Sequence, residues 1–320
     1  MSLLMGLNVH AVDRFVSFAK GEMTAIEITN TNDTIVYDPA DWTGVRIAVS
    51  NLRHDIKAVT GRECAPIIVA TVGKSALAKR YKAQCRTLKG KCEQFLIFTE
   101  GGKMVILGSD KRGTIYGIYE LSRQIGVSPW YWMADAPIMK HQQVFIDKGT
   151  FTDGEPKVRY RGIFINDEWP SFGTWCGKHF GGINSKAYSH IFELLLRLKA
   201  NYFWPAMWAS AFNEDDPLNQ KMADDMGIVM GTSHHEPMMR AHKEYTRRRD
   251  EMALGFKVDN NIAPAPSHEY SIPAYRYCRK VDGKEAKWIF LPDLGRGKGC
   301  MGADNVMATS ETTGNAFPWE

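Results

Sequence analysis

No two cysteines in the chain stand two residues apart. The six at positions 64, 85, 92, 176, 278 and 300 are scattered without a zinc-ligand spacing, which excludes a CxxC redox motif and a zinc ribbon and leaves them expected as mostly free thiols. No GxGxxG follows a strand, so the backbone cradle of a dinucleotide fold is missing. No apolar run is long enough to span a bilayer, which removes a membrane partner. Concentrated charge is scarce as well: 40 Lys and Arg against 36 Asp and Glu give a net charge of +4, with no basic face or nucleic-acid module to hold a polyanion. The one compact basic cluster, TRRRDE at 246–251, reads as a solvated helix face. The opening MSLLMGLNVHAV lacks the basic start and small-residue cleavage pattern of a signal peptide. It reads as the stump of an export signal or as a first strand.

What is present is an ordinary globular composition, 44% hydrophobic and 24% charged, with nine tryptophans and twelve tyrosines. Flat side chains with one polar edge suit sugar faces and wet clefts as well as large cores. A chain of 320 residues exceeds the usual size of one domain. Its first part alternates strand and helix patterns. MTAIEI and DTIVYD, with the turn residues NTND between them, read as a hairpin. VRIAVSNLRHDIKAVTG repeats apolar residues at helical spacing and closes on glycine. PIIVATVG, EQFLIFTE and KMVILGSD read as strands, and RGTIYGIYELSRQIG as an amphipathic helix entered through Asp110. The expectation is an α/β domain over residues 1–150, closed by a proline-punctuated connection through Pro129, Pro137 and Pro156.

Beyond it the rhythm becomes strand, helix, strand, helix, strand: GIFIND, SKAYSHIFELLLRLKA with Ser185 as its cap, NYFWPAM, NEDDPLNQKMADDMG and IVMGTS. Short βαβ connections predict parallel strands. Each strand ends in chemistry-bearing side chains: Asp167 and Glu168 after the first, Trp208 after the second, and His234, His235 and Glu236 after the third. In parallel α/β folds ligands bind at the carboxyl ends of strands, so these residues are expected on one rim, and a (β/α)8 barrel is favoured over a doubly wound sheet. Adjacent histidines on an extended chain point oppositely, which disfavours a metal site at His234, His235 and Glu236.

RGIFINDE, LKANYFWPAMW and GIVMGTSHHEPM resemble the start of the catalytic barrel of glycoside hydrolase family 115, the xylan and arabinogalactan α-glucuronidases. GSDKRGTIYGIYELSRQIGVSPWYWMAD is similar to the end of the α/β domain that precedes that barrel. The resemblance covers roughly residues 20 to 250. It implies an N-terminal α/β domain of hexosaminidase and glucuronidase type followed by the first part of a (β/α)8 TIM barrel. It further implies an inverting acid and base hydrolysis of α-1,2-linked glucuronic or 4-O-methylglucuronic acid, without a cofactor. An acidic plant polysaccharide or oligosaccharide would be the partner, met in the periplasm or outside the cell. By the same resemblance Asp167 hydrogen-bonds sugar hydroxyls, Glu168 faces the cleft, and His234, His235 and Glu236 sit across from them. Glu120 reaches in from the preceding domain. Trp204 and Trp208 are open to either packing or sugar contact.

The residues after 150 fall short of the ~250 a closed barrel needs, and residues 251–320 turn irregular, with only AKWIFLP strand-like. The barrel is therefore expected over 151–250 as its first βα units only, with the principal acid and base outside them and a divergent tail at 251–320. An open sheet edge predicts poor solubility or a partner such as a second copy of the chain. Two other readings stand beside hydrolysis: a non-catalytic carbohydrate-binding remnant, and another glycosidase of hexosaminidase-like layout.

Overall fold

The pattern of alternating strand and helix becomes a layered α/β structure in the computed structural model, which describes residues 9–11, 14–29, 31–63, 65–231, 241–247, 288–291 and 300–303. In chain order the elements are β1 (Val9–Ala11), β2 (Val16–Ser17), β3 (Thr24–Glu27), β4 (Val36–Tyr37), α1 (Thr43–Thr60), β5 (Ile67–Thr71), a 3-10 turn (Ala76–Arg80), α2 (Lys82–Leu88), β6 (Phe95–Glu100), β7 (Lys103–Gly108) and α3 (Lys111–Gln124). They continue with β8 (Phe145–Asp147), β9 (Thr150–Thr152), β10 (Gly162–Ile165), α4 (Ser171–Phe180), α5 (Ser185–Arg197), β11 (Tyr202–Pro205), α6 (Phe212–Asp215), α7 (Leu218–Met226), β12 (Val229–Met230), α8 (His242–Arg247), β13 (Trp288–Leu291) and β14 (Cys300–Ala303). Residues 1–244 and 245–320 form two separate compact units. In the second, β13 and β14 pair antiparallel, with Trp288 opposite Ala303.

The main sheet of the first unit runs in the order β1, β9, β6, β7, β5, β4. Every residue of β5 is buried, as a strand covered on both faces requires. Its alternation divides two cores: Ile67 and Val69 pack with α1 and α3, while Ile68 and Ala70 pack with Tyr81, Leu88, Leu96 and Phe98. Helix α1 buries Val45, Ala48, Val49, Leu52, Ile56 and Val59, one stripe at helical spacing, and ends on Gly61 at φ 75°. Asp110 caps α3 by accepting the Gly113 N–H at 2.8 Å.

Three expectations are corrected here. MTAIEI and DTIVYD do not form a hairpin: β3 pairs antiparallel with the distant β8, and β4 pairs parallel with β5. Alternation identifies a strand but carries no information about a partner more than a hundred residues away. Asn184, not Ser185, caps α5, its Oδ1 accepting from the Lys186 and Ala187 N–H groups at 3.1 and 3.2 Å. The single helix expected over NEDDPLNQKMADDMG is two, α6 and α7, because Pro217 lacks the N–H a helix interior needs and stands instead at the N-cap of α7.

Strands β10, β11 and β12 form a parallel sheet in that order, with Phe164 opposite Trp204 and Phe203 opposite Met230. Two helices, α4 and α5, cross from β10 to β11, and α6 with α7 cross from β11 to β12. Buried residues of α5, among them Tyr188, Ile191, Phe192 and Leu195, belong to the same core as Ile115, Tyr116 and Ile118 of α3. The described residues contain no closed barrel and no helix long and apolar enough to cross a membrane.

Polar groups fasten the same junction. Glu93, buried and at φ 55°, accepts from Arg112 Nε and Arg161 Nη2 at 2.5 Å each and from Asn201 Nδ2 at 2.7 Å. Burial alone would raise its pKa, yet the hydrogen bonds from Arg161 and Asn201 and the two guanidinium charges lower it. Arg161 immediately precedes β10 and Asn201 precedes β11, so one carboxylate ties the amino ends of both strands to α3.

Candidate functional site at the carboxyl ends of the parallel strands

Parallel strands leave their carboxyl ends on one side, and Asp167 lies two residues past the end of β10. Its side chain turns inward and is 0% exposed. Oδ1 accepts the Met207 N–H at 2.7 Å. Oδ2 accepts the Tyr188 hydroxyl at 2.7 Å and the Ser210 hydroxyl at 2.5 Å. Burial raises its pKa above the usual 3.8, with the Ser210, Met207 and Tyr188 hydrogen bonds pulling the other way. The Tyr188 phenol is pushed well above its ordinary value by burial and by the neighbouring carboxylate.

Both oxygens of Asp167 are thus engaged by the protein itself. In this conformation the side chain expected to face a sugar holds the loop that follows β11. That loop needs holding. Ala206 still pairs with β10 through its N–H to the Ile165 carbonyl at 2.9 Å, and Met207 then takes φ 55°, a left-handed conformation unfavourable for a non-glycine residue. Trp208 follows, 47% exposed.

Glu168 is half-buried, and its carbonyl accepts the Gly173 N–H at 2.8 Å at the start of α4. Trp169, next in sequence, is 53% exposed. On the face of the sheet, Phe164 and Trp204 meet edge-on with ring centroids 5.6 Å apart, and both are partly open to solvent. A side chain at Gly231, just past β12, would collide with the Tyr202 hydroxyl and with Trp204, so the glycine makes room for both rings.

Not every expected residue joins this rim. Glu120 is 0% exposed and accepts from Arg123, Gln124 and Lys199, the last at 2.6 Å. Burial would raise its pKa, but the Arg123 hydrogen bonds and the Lys199 charge lower it. Lys199 precedes β11, so Glu120 is anchored at the amino end of that strand while Asp167 and Trp208 lie past carboxyl ends. Its buried carboxylate is met by cations that stay partly exposed, Arg123 and Lys199. His234, His235 and Glu236 lie outside the described residues. Among the described residues no three His, Cys, Asp or Glu side chains gather in a way that could hold a metal ion. Tyr188 and Ser210, the partners of Asp167, carry no signal of their own in the sequence: Tyr188 falls on the apolar stripe of α5 and reads as core.

Residues 153–264 match the model of glycosyl hydrolase family 115. Among solved structures, a family 115 4-O-methyl-α-glucuronidase with specificity for decorated arabinogalactans is 36% identical, with a TM-score of 0.63 over 73% of this chain and 32% of that chain. The chain therefore spans about a third of the length of that relative. Chitobiase of Flavobacterium johnsoniae matches over 74% of this chain and 37% of its own at 15% identity and a TM-score of 0.42. No curated protein matches the chain.

Proposed function

We propose, from the premise that this chain belongs to glycosyl hydrolase family 115 through residues 153–264, that its parallel strands form part of the sugar-binding rim of a glycoside hydrolase. The substrate class is a plant polysaccharide carrying α-1,2-linked glucuronic or 4-O-methylglucuronic acid, and the reaction is inverting hydrolysis. The observation that carries this reading is the 36% identity to the α-glucuronidase across 73% of the chain. The rim supports it: past the end of β10 Asp167 fixes the loop after β11 by hydrogen bonds, and Trp169 and Trp208, also past strand ends, are exposed.

In this reading β10, β11 and β12 are the first strands of a (β/α)8 barrel, in which catalytic groups come from several strand ends. Inversion needs two carboxyl groups roughly 6.5–9.5 Å apart with water between them. In this reading Asp167 is a positioning residue, its oxygens taken up by Tyr188, Ser210 and the Met207 N–H. Its part is to fix the backbone from Met207 to Ser210, and the acid and base come from other residues. A polymeric glycan places the site of action in the periplasm or outside the cell.

The exposed indoles of Trp169 and Trp208 beside the fully engaged Asp167 favour one second reading, a portion that binds the glycan without cleaving it. Both are tested on the full chain by measuring glucuronic acid released from glucuronoxylan and from decorated arabinogalactan, beside calorimetric titration with the corresponding acidic oligosaccharides. Release establishes the hydrolase; binding without release establishes the second reading. A folded sample that neither binds nor releases removes both.

A further inference from the structure

Building on the family 115 reading, we propose that Trp169 is a stacking platform for a neutral sugar of the glycan, the residue next to the uronate rather than the uronate itself. Trp169 sits four residues beyond the end of β10, on the same rim as Trp208. Its indole rests on Gly173 in the first turn of α4. A Cβ built on Gly173 would fall against Cδ2, Cε2 and Cγ of the indole, the ring-fusion side rather than an outer edge. One face of the indole is thereby seated on backbone while the side chain remains 53% exposed. Gly173 is itself buried, and its N–H is held by the Glu168 carbonyl at 2.8 Å. A large apolar face left open to water has a cost, and a seat that admits only glycine keeps that face in one orientation.

The chemistry selects the ligand. The axial C–H groups of a pyranose present an apolar, slightly positive face that complements the negative face of an indole. A uronate carboxylate is repelled by that face. A neutral backbone sugar meets no such penalty.

The test uses the full chain and two probes, a xylo-oligosaccharide bearing one 4-O-methylglucuronic acid and free glucuronic acid, each titrated by calorimetry. Trp169→Ala is expected to weaken the oligosaccharide about tenfold and to leave free glucuronic acid within about twofold, whereas Trp169→Phe retains most of the affinity. Gly173→Ala keeps the tryptophan but fills its seat, and is expected to copy Trp169→Ala. Circular dichroism confirms that each variant is folded. Unchanged oligosaccharide binding in Trp169→Ala, or an equal loss for free glucuronic acid, overturns the assignment while leaving the family 115 reading intact. If the wild type binds neither probe, that reading fails and the assignment falls with it.

Discussion

The hydroxyl of Tyr188 donates to Oδ2 of Asp167 at 2.7 Å in a place where neither side chain is open to solvent. Helix α5 and the end of β10 are joined by this bond, and the Met207 N–H joins the β11 loop to the same carboxylate. Asp167→Ala leaves a buried N–H and two hydroxyls without their acceptor, an expected loss of about 2–3 kcal/mol in urea unfolding. Because the loop carrying Trp208 is released, the proposed binding of an acidic oligosaccharide is expected to weaken as well. The folded pKa is raised, so the contribution of this group to stability is present below the unfolded value near 3.8 and is lost as pH rises through the folded value. The stability of the wild type relative to Asp167→Asn is therefore greatest at low pH and declines just above that value. A difference independent of pH would contradict the buried geometry.

Glu93 has the opposite sign. Its folded pKa is lowered by Arg161, Asn201 and Arg112 in excess of its burial. Its contribution is present above the unfolded value near 4.5 and is lost as pH falls through the folded value. Glu93→Gln keeps the shape and removes the charge, so its deficit in urea unfolding, about 2 kcal/mol at neutral pH, should shrink on acidification below about pH 4. The two guanidinium groups are partly exposed, which holds the expected deficit below that of a fully buried pair.

Gly117 tests the packing of α3 on the sheet. In an exposed helix the change to alanine stabilises by up to ~1 kcal/mol. Here a Cβ would lie 2.7 Å from Ile106 Cγ2 and 3.1 Å from Phe95 Cβ. Overpacking outweighs propensity, and Gly117→Ala is expected to destabilise by about 1–2 kcal/mol. Equal or greater stability in urea would show that the helix can move away from β6 and β7 at no cost.

The elements that the sequence made legible are those whose evidence is local. The apolar stripe of α1 and its terminal Gly61, the unbroken burial of β5, and the Asp110 cap of α3 all follow from neighbours within a few positions. Long-range pairing was not legible: nothing in MTAIEI points to Phe145–Asp147 as its partner. Helix α4 escaped notice because SFGTWCGKHF mixes glycine and aromatics without a clean polar face. At the rim, the order of strand ends placed Asp167, Glu168 and Trp208 together along the chain, yet side-chain direction was beyond reach. A residue two positions past a strand can point to solvent or to core, and Asp167 points to core because Tyr188, Met207 and Ser210 each offer it a donor. Trp169 became visible only once its contact with Gly173 was known.

Tyr116 in α3 donates its hydroxyl to the carbonyl of Ala200, just before β11, at 3.1 Å, and both residues are buried. Around that bond the residues before position 150 and those from β10 to β12 share a single apolar interior. A cut in the connecting stretch would give two fragments, each with a wet, half-built interior, so this pair behaves as an inseparable building block. Grafting the parallel strands onto another scaffold would require carrying α1 and α3 with them. The same bond means that a substitution on α3, far along the chain from Asp167 and Trp208, can still shift where the rim stands.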